Sequence, residues 1–160
     1  MSDGHAVDGV IDFTSPTLPR SVAVVSGFSG REAWGRWTVG HVSSVVLAAE
    51  FPELDYVEIL GRVYESYSTN EMTIKCNNLA TVVRITQARE MVNRVACGRG
   101  NGHRRQYVQF IMPGASSPSR RIMPGGDGRV LGLALRRLTF SVLTADASNG
   151  QVAGENQWER

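Results

Sequence analysis

No apolar stretch of this 160-residue chain approaches the roughly 20 residues that a membrane-spanning helix needs. Its first residues, MSDGHAVDGV, lack the basic start and apolar centre of a signal peptide. On its own the sequence reads as soluble and cytoplasmic, or as a piece of a larger protein. Cysteine is scarce: Cys76 and Cys97 stand without a C-x-x-C or Cys/His spacing. No metal is expected there, and the pair reads as two buried thiols unless an oxidising compartment joins them. Lysine is scarcer still, Lys75 being the one lysine beside sixteen arginines. Arginine forks suit carboxylates and phosphates, although a compositional bias produces the same count. A net charge of only +2, without a broad basic surface interleaved with aromatics, argues against a nucleic-acid partner.

Catalytic signatures are missing as well. G-x-S-x-G, H-E-x-x-H and a glycine-rich loop between strand and helix are all absent, and His5, His41 and His103 are scattered. Two carboxylates at working distance would support a glycosidase, a distance that sequence alone does not supply. No reaction and no cofactor are assigned.

What is present is alternation. Ile11 and Phe13, the run SVAVVSG, Val45 and Leu47, then Val57, Ile59 and Val63 mark strands. Met72, Ile74 and Cys76 continue the pattern, followed by rows at 79–85, 108–112 and 131–135. Past Arg136 and Arg137 the apolar row resumes at Leu138, Phe140 and Val142 one step out of phase, which predicts a β-bulge or an edge crossing. Helical evidence is thin: in TQAREMVNRVA the spacing of Met91, Val92 and Val95 fits a helix, and a twisted strand nearly as well. Turn chemistry such as TSPTLP, EFPELD, GRGNG and MPGGDG separates the segments. The expectation is an all-β, antiparallel, jelly-roll-like sandwich of eight or nine strands with little helix, one domain over residues 1–145. Residues 146–160, Trp158 included, form a polar tail expected to fray.

Two of the three tryptophans sit in REAWGRWTVG. If residues 32–39 are extended, Glu32, Trp34, Arg36 and Thr38 point one way, and Ala33, Gly35, Trp37 and Val39 the other. Trp37 is then core and Trp34 is displayed. A displayed indole between a carboxylate and a guanidinium suits a sugar, whose apolar face lies on the ring while charged groups bond its hydroxyls. The competing arrangement has Arg36 stacked on Trp34 and paired with Glu32, clamping the strand to a neighbour. A second candidate face carries Tyr56, Glu58, Leu60, Arg62 and Tyr64, opposite Val57, Ile59 and Val63, and would line a glycan platform or lie against a partner. The loop with Arg99, His103, Arg104 and Arg105 among three glycines has donors for an acidic group, or is a solvated hairpin loop.

Residues 24–40 (VVSGFSGREAWGRWTVG) and 118–140 (PSRRIMPGGDGRVLGLALRRLTF) resemble the opening and closing motifs of a β-sandwich domain appended to bacterial envelope-polysaccharide glycosyltransferases and sulfatase-type phosphoglycerol transferases. Gly27, Glu32, Trp34, Gly35, Arg36 and Trp37 match the first motif; Asp127, Arg129, Leu131, Gly132 and Leu133 match the second. The basic loop between them departs from the family pattern. The resemblance implies a carbohydrate-associated, non-catalytic module. It also implies that Glu32, Arg36, Asp127 and Arg129 meet in a partly buried charge network, with Trp37 beside it.

Two functional expectations follow. In one, the domain recognises a bacterial surface glycan through Trp34, Glu32, Arg36, Tyr56, Tyr64 and Arg62. In the other it is an assembly domain that oligomerises or docks onto a partner protein through the outer strand face.

Overall fold

The alternating segments pair as strands in a computed structural model of the chain, which describes residues 9–64, 69, 71–85, 89–99, 105–116 and 130–142. Among these there are ten strands: β1 (Val10–Asp12), β2 (Val22–Ser26), β3 (Arg36–Val39), β4 (Val42–Leu47), β5 (Leu54–Val63), β6 (Glu71–Cys76), β7 (Leu79–Arg84), β8 (Met91–Ala96), β9 (Tyr107–Ile111) and β10 (Leu131–Val142). The count exceeds the eight or nine expected, and β8 occupies the segment whose spacing also fitted a helix. No helix occurs among the described residues, so none is long and apolar enough to cross a membrane.

All pairings are antiparallel, and the strands form two sheets. One has the order β1, β10, β5, β8, with β3 also pairing β10; the other runs β2, β4, β9, β6, β7. The chain passes from one sheet to the other at almost every connection, which is the winding of a jelly-roll-like sandwich. Burial follows the period of two: β4 and β6 both alternate exposed or half-buried with buried positions from end to end. Leu47, Leu54, Ile59, Ile74, Phe110 and Leu138 are fully or almost fully buried in one core between the sheets. Each such side chain stabilises the fold by about 1.5–3 kcal/mol relative to exposure.

The phase slip in the last strand is a bulge. Leu135 pairs Gly61 while Arg137 pairs Leu60, which leaves Arg136 as the extra residue and lets Leu135 and Leu138 both face the core. A buried amide holds the opposite corner. Gln106 Nε2 donates to the carbonyls of Phe51 and Pro52, and its Oε1 accepts from Leu54 N at 2.8 Å and Asn77 Nδ2 at 2.9 Å. With every polar atom partnered, its burial carries little penalty.

Cys76 and Cys97 are joined in a disulfide. The bridge that the sequence left open is made because β6 and β8, from different sheets, end side by side at this corner. Gly98 N donates to the Cys76 carbonyl at 2.9 Å, and Asn77 Nδ2 donates to the Gly98 carbonyl at 3.2 Å, fastening the same junction.

Candidate functional site

The extended run expected over residues 32–39 begins only at Arg36. Glu32 N donates to the Gly35 carbonyl at 2.8 Å and Gly35 N to the Glu32 carbonyl at 3.1 Å, closing a turn with Ala33 and Trp34 at its tip. Gly35 has a φ of +143°, and a Cβ there would run into the Leu135 carbonyl, so the missing side chain is what seats the turn on β10. The turn cancels the strict alternation. Trp34 and Trp37 do not point to opposite faces: their rings meet edge to face at 5.1 Å. Trp37 is half-buried and lies outside the core, whereas Thr38, expected to point outward with Trp34, is fully buried and accepts a hydrogen bond from Leu133 N at 2.8 Å.

Trp37 continues the aromatic cluster to Tyr64, with ring centroids 5.5 Å apart, again edge to face. Sheet register explains why these residues meet. Trp37 pairs Ala134 of β10, and Ala134 on its other side pairs Arg62 of β5, so the three lie in one row across the outer face. β5 and β8 pair as far as Gly61 with Met91, and the residues next to that pair, Arg62 and Glu90, line one groove. Trp34 stands over this row. Together Trp34, Arg62, Glu90, Ala134 and Arg136 line an open groove of about 260 Å³.

Two of the arginines in and near the groove have charged partners. Arg136 Nη1 lies 3.3 Å from Glu90 Oε2. Further along the same face Arg94 lies 4.1 Å over the Tyr56 ring and 3.8 Å from Glu58. Tyr56 is thus covered by an arginine of the neighbouring strand and does not join the aromatic cluster, a placement not visible from β5 alone. The alternation of β5 itself is as expected: Val57, Ile59 and Val63 are buried, and Arg62 is exposed.

The clamp that competed with ligand display is not built. Among the described residues no ion pair links Glu32 to Arg36, and Trp34 packs against Trp37 in place of Arg36. Both charged residues are half-buried, and the buried Nε of Arg36 has no hydrogen-bond partner among the described residues. Asp127 and Arg129 lie outside the described residues, as do His103, Arg104 and the tail at 146–160.

Three of the groove residues, Glu90, Ala134 and Arg136, carry no site signal in the sequence. The bulge signal at Arg136 marked its position but not its neighbours, and nothing local to Glu90 or Ala134 distinguishes them. A second groove, of about 390 Å³, opens at the β1 and β2 side beside Val10, Arg20, Glu50 and Phe51. No three His, Cys, Asp or Glu side chains converge as a metal would require among the described residues. The Asp12 carboxyl, outside both grooves, is held below its ordinary value by hydrogen bonds from the Thr14 hydroxyl and backbone N–H, with Arg137 and Arg136 adding to the effect.

No curated protein matches the chain. Among solved structures, the CBM36-1 domain of a multidomain xylanase from the hindgut metagenome of Trinervitermes trinervoides is 8% identical, with a TM-score of 0.47 over 85% of this chain and 98% of that one. The carbohydrate-binding module CBM36 in complex with calcium and xylotriose is 8% identical, with a TM-score of 0.42 over 82% and 98%. An exo-β-1,3-galactanase from Phanerochaete chrysosporium with galactose is 15% identical, with a TM-score of 0.37 over 85% of this chain and 28% of that one. A family model matches residues 5–142, and the chain belongs to that family, described as Domain of unknown function (DUF7024).

Proposed function

We propose that this member of the DUF7024 family is a non-catalytic carbohydrate-recognition module. The observation that carries the reading is Trp34 at the tip of a tight turn, braced by Trp37 and overhanging a groove that holds two guanidiniums and a carboxylate. An indole held in this way offers an apolar surface to a sugar ring, and the charged groups around it supply hydrogen bonds to hydroxyls. The groove is smaller than the roughly 300–1,000 Å³ of a drug-sized pocket, which suits part of a polymer whose remainder runs over the open sheet face.

Bacterial surface polysaccharide is the ligand class in this reading. Its support is the resemblance of residues 24–40 and 118–140 to domains appended to envelope-polysaccharide glycosyltransferases and phosphoglycerol transferases. In that setting the module holds the polymer near its partner enzyme. The disulfide is in keeping with an oxidising surrounding such as the bacterial envelope.

Calorimetry and affinity electrophoresis against a panel of bacterial surface polysaccharides test the proposal. At least one polymer is expected to bind, and Trp34→Ala is expected to weaken it by about 10- to 100-fold, the equivalent of losing one buried aromatic contact. Thermal melting should stay close to wild type, because Trp34 lies outside the core. No binding by the wild type, or unchanged affinity in Trp34→Ala, would overturn the reading.

A further inference from the structure

The outer face of the β10, β5, β8 sheet carries Arg62, Arg94, Arg136 and Arg137; Arg94 and Arg136 are engaged in ion pairs, and Arg137 stands across from Asp12 outside the groove lining. Arg94 lies against Tyr56 and Glu58, and Arg136 against Glu90. Arg62 is exposed, lines the groove, and makes no ion pair or hydrogen bond among the described residues. The one carboxylate of the groove lining, Glu90, already has Arg136 as its partner. The lining therefore has two cations to one anion, and its uncommitted group is a planar fork. Beneath that fork the floor is Ala134, too short to obstruct a group lying between Trp34 and Arg62.

We infer that the groove selects glycans bearing an anionic substituent, a carboxylate or a phosphate, which Arg62 holds while the sugar ring lies on Trp34. This rests on the carbohydrate-recognition reading and adds the chemical class of the sugar. A guanidinium binds either oxyanion through two parallel N–H donors, a geometry that an ammonium lacks. Carboxylate and phosphate present the same oxygen edge, so the shared chemistry is the anionic oxygen pair.

The test uses two matched pairs of polymers: polygalacturonate against its methyl ester, and phosphomannan against the dephosphorylated mannan. Binding is measured by affinity electrophoresis and calorimetry at low and at physiological salt. The acidic member of at least one pair is expected to bind about tenfold tighter than its neutral partner. The pair that shows this preference identifies carboxylate or phosphate. Arg62→Gln should erase the preference for the acidic member, while Arg62→Lys should keep part of it. Arg84→Gln, an exposed arginine on β7 of the other sheet, should leave the preference intact. Equal binding of acidic and neutral members, with both lost in Trp34→Ala, would overturn this inference and leave glycan recognition standing. Equal losses in Arg62→Gln and Arg84→Gln would also overturn it, since net charge alone would then explain the preference. If Trp34→Ala changed no affinity, glycan recognition at this groove would fall and the inference with it.

Discussion

Reducing the Cys76–Cys97 bridge in the otherwise unaltered chain should lower the free energy of unfolding by about 3.3 kcal/mol. The two cysteines are 21 positions apart, and closing a loop of that length in the unfolded chain costs about 11 cal/mol/K, or about 3.3 kcal/mol at 25 °C. The folded side of the balance should change little. The Cys97 N–H to Asp55 carbonyl bond at 2.9 Å, the Gly98 to Cys76 bond and the Asn77 bonds hold the same corner without the sulfur link. Reduction is preferable to Cys→Ala substitution because Cys76 is fully buried and truncating it would add a cavity. The assay is urea unfolding followed by tryptophan fluorescence, with and without a phosphine reductant, and with free thiols counted in each sample. For a urea slope of about 2 kcal/mol/M, the midpoint should fall by about 1.7 M. A reduced sample with two titratable thiols and a midpoint within about 0.25 M of the oxidised one would refute the reasoning. That result would mean that the unfolded chain is no less restricted without the bridge, or that the strands around it do not pair as described.

Two further outcomes follow from local geometry. Gly35→Ala should destabilise the domain by about 2 kcal/mol or more, because the added Cβ meets the Leu135 backbone at a φ that side chains rarely adopt; a melting curve superimposed on wild type would refute the turn. Thr14→Ala should raise the Asp12 pKa toward the ordinary carboxylate value in an NMR titration, since the Thr14 hydroxyl is the largest cause of its depression. A depressed carboxyl stabilises the fold above its unfolded-state pKa, and that contribution is lost as pH falls through the lower folded-state value. The Thr14→Ala stability deficit should therefore shrink in strong acid, and a deficit independent of pH would remove Asp12 from the explanation.

Much of the fold was legible because a period of two is hard to imitate by chance. The buried faces of β4, β5, β6 and β9 are those that alternation selects, and the slip after Leu135 marked the bulge at Arg136. Where the reading failed, two structures shared one local pattern. EAWG serves a strand as well as a turn, and what decides between them is the Leu135 backbone, a hundred residues away, against which Gly35 is placed. Residues 91–96 had spacing for helix or strand, and pairing with β5 settled it. The groove was illegible for a related reason: Trp34, Ala134, Arg62 and Glu90 become neighbours only through the registers of four segments, none of which is a property of any segment alone. The disulfide likewise depends on which strands end at the same corner, information that two isolated cysteines do not contain.

The register of β10 also bears on how the domain is made. β1 pairs with β10 through Val10 and Thr139, and β3 pairs with it through Trp37 and Ala134; among the described residues β1 has no other strand beside it, and β3 otherwise pairs only with residues 27–29, through the Phe28–Thr38 bridge. During synthesis both must wait with open hydrogen-bonding edges until residues 131–142 leave the ribosome. Such distant closures are characteristic of slow folding, on the scale of milliseconds to seconds. Until β10 arrives, the turn bearing Trp34 has no sheet to rest on, so the groove beneath it and the completed sheet come into being in the same step.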